Sequence, residues 1–139
     1  MLRVLVPVDG SENSLRAVQF LLRKAPLYAE PLELHLLNVQ HAFPGTISGV
    51  HEQAERHHHD EGAKALAAAR KALDAAGVKY VYHIGLGEPA EVIAHFAREK
   101  KIEQIVMGTR GAGAIASMLL GSVANKVLHL VDVPVLLVK

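Results

Sequence analysis

A cluster of glycines near the carboxyl end of the chain has the composition of an anion-binding loop. In MGTRGAGAIASMLLGSVANKV, residues 107–127, glycines occupy positions Gly108, Gly111, Gly113 and Gly121. Glycine lets backbone N–H groups approach a phosphate with no Cβ in the way, and a helix N-terminus adds a favourable dipole. The alternative is a loop that needs glycine only for its turns, and composition alone favours neither interpretation.

Three other motifs lack a part that their chemistry needs. The glycine cluster does not contain the Walker A pattern G-x-x-x-x-G-K-[ST], and Lys126 lies too far into the following helical segment. GLGEPA (85–90) matches a dinucleotide-binding pattern, but it follows the third apolar run and Pro89 removes an amide, so we interpret it as a turn into a helix. HEQAE (51–55) has Glu55 where the zinc-protease motif HExxH needs its second histidine.

Short apolar runs alternate with segments of helical periodicity along the chain. The runs predict five strands, at 2–8, 32–39, 78–84, 103–107 and 134–138. Apolar stripes predict four helices between them, through Leu15, Val18, Leu22 and Ala25, through Ala65, Leu66, Ala69 and Leu73, through Val92, Ile93, Phe96 and Ala97, and through Val123, Val127, Leu130 and Val131. This order favours an α/β fold over residues 1–139 in one domain: a doubly wound, five-stranded parallel sheet with helices on both faces, flavodoxin-like or Rossmann-like.

The topology of the sheet then predicts which strand ends contribute residues to the same site. In a doubly wound sheet, ligands bind outside the carboxyl ends of the strands, where the strand order reverses. Asp9 follows the first strand and Gly108 ends the fourth, so we expect both on one rim, close to Val39. The alternative role of Asp9 is to cap the following helix through the amides near Ser11, and one carboxylate can do both. We interpret residues 40–49, after the second strand, as a flap.

Composition excludes several classes of function. The 139 residues are 50% hydrophobic and 21% charged, which is a globular composition. A formal net charge of +1 argues against nucleic acid or an anionic membrane as the partner. The absence of cysteine excludes disulfides and thiolate chemistry. No apolar run reaches the roughly 18 residues of a membrane span and no signal-peptide pattern is found, so we expect a cytoplasmic protein.

The spacing of the glycines resembles that of one family. Gly108, two residues, Gly111, nine residues and then Gly121-Ser122 is similar to the G-2x-G-9x-G-[ST] motif of the ATP-binding branch of the universal stress protein family. The rest of the chain agrees over essentially its whole length and is least similar over 40–75. VLVPVDGS, LHLLNV, QIVMGTRGAG and VLHLVDVPVLLVK resemble the family's first strand and aspartate, second strand, fourth strand, and last helix and strand.

The resemblance implies roles in binding ATP or another adenine nucleotide, with Mg²⁺. Ribose and phosphates would be held by Gly108, Gly111, Gly121, Ser122 and Val123. Asp9 would take a ribose hydroxyl or lie near a phosphate-bound Mg²⁺. Val39 would meet the adenine edge with its backbone, Pro7 and Val8 would line the pocket, and Arg110 would screen phosphate charge or face solvent.

The function implied by the resemblance is a stress-response or signalling module whose affinity for an effector protein changes when ATP is bound. Two alternatives stay open: a slow ATPase or other nucleotide-dependent hydrolase or transferase on the same scaffold, and a structural dimer with a vestigial pocket. An enzyme needs a base beside the phosphates, and the sequence identifies no catalytic residue there. The sequence does not determine the effector, the stress or the preferred nucleotide.

A histidine-rich tract, HEQAERHHHDE at 51–61, is a separate candidate for chemistry. On a helix, His51, Glu55 and His59 would share one face, a spacing that can hold zinc or nickel at a surface. A solvated helix face is the commoner outcome of such a composition, so we expect no metal site here.

The last apolar run, PVLLV at 134–138, predicts a homodimer. The flavodoxin-like strand order places the fifth strand at an edge, and an exposed apolar edge is an aggregation hazard. Pairing with the same strand of a second copy about a two-fold axis would cover that edge, and the family resemblance implies the same arrangement. The alternative is a monomer whose edge is covered by the last helix or by a loop.

Overall fold

Five strands alternate with four α-helices in a computed structural model that describes residues 1–41, 51–111 and 119–139, with only the helical backbone described for 51–55. A single turn of 3-10 helix, Ala25–Leu27, follows the first helix. In chain order the elements are β1 (Leu2–Pro7), α1 (Glu12–Lys24), β2 (Leu32–Gln40), α2 (His51–Ala75), β3 (Tyr80–Leu86), α3 (Pro89–Glu99), β4 (Gln104–Gly108), α4 (Ser122–Leu130) and β5 (Val135–Val138).

All five strands are parallel and form one sheet in the order β3-β2-β1-β4-β5. In the central strand β1, Val4 pairs with Leu34 of β2 on one side and with Gln104 of β4 on the other. The chain runs outward from β1 through β2 to β3 and then crosses to β4, so the strand order reverses between β1 and β4. The predicted doubly wound α/β fold is therefore confirmed, with β5 at an edge.

Alternating residues of the central strand divide the core into two layers. Val4 and Val6 face α1 and α2, whereas Leu5 faces α3 and α4. All three are at most 1% exposed, and burying such a side chain contributes about 1.5–3 kcal/mol. The sheet is thus covered on both faces, and only its edges and the ends of its strands can present backbone groups to a ligand or a partner.

Capping side chains fix where the helices begin. The Oγ of Ser11 accepts the N–H of Ser14 at 3.2 Å and starts α1. The carboxylate of Glu88 accepts the N–H groups of Ala90 and Glu91 at 3.3 and 2.9 Å, with Pro89 in the first turn of α3. This geometry confirms that GLGEPA is a turn into a helix.

The end of α2 shifts β3 relative to the sequence prediction. The strand runs from Tyr80 to Leu86, two residues later at each end than 78–84. The cause is the helix C-terminus: Gly77, at φ +68°, turns the chain, and the N–H of Val78 still donates to the carbonyl of Leu73 at 3.0 Å. The chain therefore leaves α2 too late for Val78 to enter the sheet.

The buried faces of two helices also differ from the predicted stripes. In α1, Ala17 and Leu21 flank Val18 in the core, whereas Leu15, and Ala25 in the 3-10 turn that follows the helix, are only partly buried. In α4, Leu130 is 38% exposed although the stripe through Val127 included it.

Gly113 and most of the predicted flap at 40–49 lie outside the described residues. In the described part of the chain, no helix combines the length and the apolar character that a bilayer span requires.

Candidate functional site

A cavity of about 540 Å³ opens at the carboxyl ends of β1, β2 and β4, where the strand order reverses. This volume lies within the roughly 300–1,000 Å³ of small-molecule sites. The ten residues to which the family resemblance gives a role in nucleotide binding all line it: Pro7, Val8, Asp9, Val39, Gly108, Arg110, Gly111, Gly121, Ser122 and Val123. The cavity is also lined by Gln40 and Met107, at the predicted strand ends, and by residues that sequence reasoning missed: Ser14, Leu37, Asn38, His41, Pro89, Ile93 and Ala124.

The carboxylate of Asp9 joins the start of α1 to the glycine-rich loop. Its Oδ1 accepts the backbone N–H of Ser11 at 2.9 Å and also the Ser11 hydroxyl. Its Oδ2 lies so near Gly111 that a Cβ added there would be 2.6 Å away. Asp9 therefore supports the helix cap, as the alternative interpretation expected, and it also forms part of the cavity wall.

The N-terminus of α4 also lines the cavity. Gly121 is the N-cap, at φ −74° and ψ 165°, and brings no capping side chain. Its N–H donates to the carbonyl of Thr109 at 2.6 Å, and a Cβ on Gly121 would lie 3.2 Å from the Cα of Arg110. The first residues of α4, Ser122 and Val123, line the cavity, so the positive end of a helix dipole faces it.

The loop after β4 is held from behind by α1, a contact that sequence reasoning missed. The buried side chain of Asn13 accepts the N–H of Arg110 through Oδ1 at 2.7 Å. A Cβ on Gly108 would overlap that same oxygen, so Gly108 permits a close approach of α1 to the end of β4. The N–H of Thr109 donates to the carbonyl of Val138 at 3.1 Å, which also ties the loop to β5.

At the end of β2, backbone groups point into the space beyond β1. The carbonyl of Leu37 accepts the N–H of Val8 at 2.8 Å, toward β1, whereas that of Gln40 accepts Gly87 at 2.9 Å, toward β3. Backbone groups alternate sides along a strand, so the N–H and carbonyl of Val39 also point toward the β1 side. Because β1 ends at Pro7, these groups lie at the mouth of the cavity.

A relay of side-chain amides lies beside Val39. Asn38, 2% exposed, donates through Nδ2 to the carbonyl of Val8 at 2.8 Å. Its Oδ1 accepts the Nε2 of Gln40 at 2.7 Å. A carbonyl can only accept, so Val8 fixes the orientation of the Asn38 amide, which in turn fixes that of Gln40. The relay stabilises the ends of β1 and β2 in their relative positions.

Lys126 of α4 forms ion pairs with two glutamates at the start of α3. Lys126 lies 3.2 Å from Glu88 and 3.5 Å from Glu91. The hydrogen bond to Glu88 is the main cause that raises the pKa of Lys126. Partial burial opposes ionisation of Glu88, but the N–H of Glu91 and the ammonium of Lys126 outweigh it and hold the pKa of Glu88 below its usual range. Lys126 is thus engaged by α3, in agreement with the exclusion of a Walker-type lysine.

The histidine-rich tract lies on α2, whose helix begins at His51. The side chains of His51 and Glu55 lie outside the part of the chain that is described, and so does the predicted shared face with His59. Among the side chains that are described, no group of three or more His, Asp or Glu residues is arranged to hold a metal ion.

A sequence model of the universal stress protein family matches residues 1–139. The chain belongs to the universal stress protein family. It is 34% identical to Universal stress protein MJ0531 of Methanocaldococcus jannaschii over 99% of this chain and 81% of that relative, and 31% identical to Universal stress protein YxiE of Bacillus subtilis over 99% and 98%. A solved universal stress protein in complex with cAMP has a TM-score of 0.72 and 27% identity, covering 99% of this chain and 97% of that one.

The cavity of this universal stress protein combines hydrogen-bond donors with a carboxylate. The donors are the first amides of α4, Arg110 is also among the lining residues, and the carboxylate is that of Asp9. Leu37, Ile93 and Met107 add apolar surface. Such a site suits a ligand that has an anionic end, hydroxyl groups and a flat apolar part.

Proposed function

We propose that the cavity binds an adenine nucleotide, ATP or a related one, together with Mg²⁺, and that occupancy changes the affinity of this protein for an effector in a stress response. The observation that carries the proposal is that the α4 N-terminus, which has no capping side chain, and the carboxylate of Asp9 line one cavity at the switch point of the sheet. Ligands bind at that point in open α/β sheets.

The phosphates fit the α4 side of the cavity. The N–H groups of Ser122 and Val123 lie in the first turn of the helix, where they have no acceptor within the helix, and the dipole favours an anion. Gly121 brings no side chain into this space, and the hydroxyl of Ser122 can add a hydrogen bond. Arg110, on the same loop, would add positive charge beside the phosphates.

The nucleoside fits the β1 and β2 side. The N–H and carbonyl of Val39 would pair with the donor and acceptor edge of adenine, with Pro7 and Val8 against the base. Asp9 would accept a ribose hydroxyl or face a phosphate-bound Mg²⁺, since carboxylate oxygen is a usual ligand of that ion. A related universal stress protein solved with cAMP supports an adenine nucleotide as the ligand class.

The assembly we propose is a cytoplasmic homodimer of the single domain 1–139, formed by pairing of β5 with β5. The edge position of β5 and its apolar sequence, VLLV, support this arrangement. Leu128 and Leu130 of α4, 41% and 38% exposed, provide further apolar surface that a partner copy can cover.

Titration calorimetry with ATP, AMP, cAMP and GTP tests the nucleotide proposal, with mass spectrometry of any ligand carried through purification. We expect saturable binding of the adenine nucleotides and weaker binding of GTP, because the edge of guanine presents different donors and acceptors to Val39. Absence of binding to all four would refute the proposal. The rate of ATP hydrolysis in the presence of Mg²⁺ then separates a binding module from a slow ATPase. A hydrolysis rate equal to that in buffer without protein would show that the protein binds ATP and does not hydrolyse it.

A further inference from the structure

Asn13 of α1 is a buried polar side chain with no place in the functions discussed so far. It lies in the first turn of the helix and is 6% exposed. Its Oδ1 accepts the N–H of Arg110 at 2.7 Å, and its Nδ2 donates to the carbonyl of Val138 at 3.4 Å. One amide therefore bridges the glycine-rich loop and the end of β5.

Chemistry fixes the orientation of this amide. A backbone N–H can only donate and a backbone carbonyl can only accept, so Asn13 must present its oxygen to Arg110 and its nitrogen to Val138. A flipped amide would place the Asn13 nitrogen, a donor, against the N–H of Arg110, and the Asn13 oxygen, an acceptor, against the carbonyl of Val138. Contacts of Asn13 with Gly108 leave no room for a side chain at the end of β4, so the amide and the loop fit together in one arrangement.

The loop transmits this arrangement to the N-terminus of α4. Thr109 lies between Gly108 and Arg110, the two loop residues that Asn13 contacts. The carbonyl of Thr109 accepts the N–H of Gly121 at 2.6 Å. A displacement of Arg110 would therefore move the contact that positions Gly121, the N-cap of α4. Hydrogen bonds thus connect α1 through the loop to the amides proposed to receive phosphate.

We propose that Asn13 is a positioning residue of the phosphate side of the site. It holds residues 108–111 at the distance from α4 at which loop and helix amides reach the same phosphates. The inference rests on the proposed nucleotide function and adds to it a residue that does not itself touch the ligand. Its effect is larger on the phosphates than on the nucleoside, because Asn13 bonds the loop after β4 and not the end of β2.

The test compares the affinity for ATP with the affinity for adenosine, both by titration calorimetry, in Asn13→Ala and Asn13→Ser. The matched control is Arg16→Ala, because Arg16 lies one turn further along α1 and its Nε donates to the carbonyl of Lys139 at 3.2 Å. The control loses a bond from α1 to the chain end beside β5 and keeps the bond to the loop. Serine keeps a polar group at position 13 but is too short to reach Arg110, so it serves where alanine fails to fold.

We expect the ratio of ATP to adenosine affinity to fall about five- to tenfold in both Asn13 variants, the size of one buried hydrogen bond, and to stay unchanged in Arg16→Ala. The Arg110 amide should also exchange its hydrogen faster in the Asn13 variants. An unchanged ratio in a folded Asn13 variant, or an equal fall in Arg16→Ala, overturns the inference. Absence of binding of both ligands to the unmodified protein would instead refute the nucleotide site itself.

Discussion

The Oδ2 of Asp9 lies against Gly111 at the cavity rim, where a Cβ added to Gly111 would be 2.6 Å from that oxygen. The two residues are about one hundred positions apart in the chain and meet because β1 and β4 are neighbours in the sheet. Asp9 Oδ1 meanwhile accepts from Ser11. The two oxygens of one carboxylate thus have different surroundings, one at the helix cap and one at the loop.

Two substitutions of Asp9 distinguish its role in the helix cap from its proposed role in ligand binding. Asp9→Asn keeps an acceptor for Ser11 but loses the charge, so we expect nearly unchanged thermal stability and a fall in Mg²⁺–ATP affinity of about tenfold or more. Asp9→Ala removes both and should also lose about 1 kcal/mol of unfolding free energy through the weakened cap. Calorimetric titration and urea denaturation measure the two effects. Unchanged Mg²⁺–ATP affinity in both variants would leave Asp9 with the capping role alone.

Gly121 is the residue of the glycine motif whose substitution has the clearest geometric consequence. A Cβ there would be 3.2 Å from the Cα of Arg110 and 3.3 Å from the carbonyl of Thr109, so the loop backbone must shift. The φ of −74° suits any residue, and backbone strain therefore adds nothing. We expect Gly121→Val to lower ATP affinity about tenfold or more, since small misplacements of binding groups have large effects.

Gly77→Ala is the matched control for Gly121→Val. Gly77 has φ +68° and open space around its Cα, so alanine there is strained but touches nothing. It should lose about 1 kcal/mol of unfolding free energy and keep full ATP affinity. Equal affinities in a folded Gly121→Val variant and in the control would show that the α4 N-terminus does not hold phosphate.

Sequence patterns and the family resemblance were sufficient for the order of the strands and helices and for ten of the residues that line the cavity, because strand ends and glycine spacing are local signals. The contacts behind the cavity could not be predicted in that way. Asn13 is one polar residue among several in the first turn of an amphipathic helix, and nothing local marks it as buried. Its role depends on the pairing of β4 with β5, which brings Val138 and Arg110 to the same side chain.

The relay beside Val39 shows the same limit. Alternation along β2 indicates that Asn38 and Gln40 share a face, opposite to that of Val39. It does not show that Asn38 is buried or that its amide bonds to Val8, since that bond needs the register between β1 and β2. The start of β3 was wrong for a related reason. Val78, which the apolar run assigned to the strand, belongs to the C-terminal turn of α2, so β3 begins at Tyr80.

A pair of stacked histidines on the α3 face of the sheet predicts a loss of stability in mild acid. The Nδ1 of His35 and the Nε2 of His83 are 3.2 Å apart, and the ring of Phe96 packs 4.6 Å from that of His83. Burial lowers the pKa of His83 most, followed by electrostatic interactions with His35 and Lys100. Glu33 is 3.3 Å from the Nε2 of His35, and that contact lowers the pKa of Glu33.

Because the pKa of His83 is lower in the folded than in the unfolded chain, its neutral form contributes stability that is present above about pH 6.5. That stability is lost as the pH falls through the lowered folded value. We expect the urea midpoint to fall between pH 7.5 and 5.5, and His83→Gln to reduce this fall. His95→Gln is the control, since the His95 side chain is 71% exposed. Identical pH dependence in the two variants would contradict the assignment to His83.

The outward backbone groups of β5 make the dimer proposal specific. The carbonyls of Pro134 and Val138 accept the N–H groups of Ile105 and Thr109, so both point toward β4. Alternation along the strand therefore directs the N–H and carbonyl of Leu137 to the open edge. A second copy related by a two-fold axis would pair with these groups and cover the apolar strand.

Leu137→Pro removes an outward donor without removing a bond between β4 and β5, and we expect it to weaken the dimer by about tenfold or more while ATP affinity changes little. Leu137→Ala is the matched control, because it loses the same side chain and keeps the N–H. Light scattering after size exclusion, at a series of micromolar concentrations, measures the fraction of dimer in each. A mass of one chain for the unmodified protein refutes the dimer, and equal weakening by proline and alanine would assign it to side-chain packing instead of strand pairing.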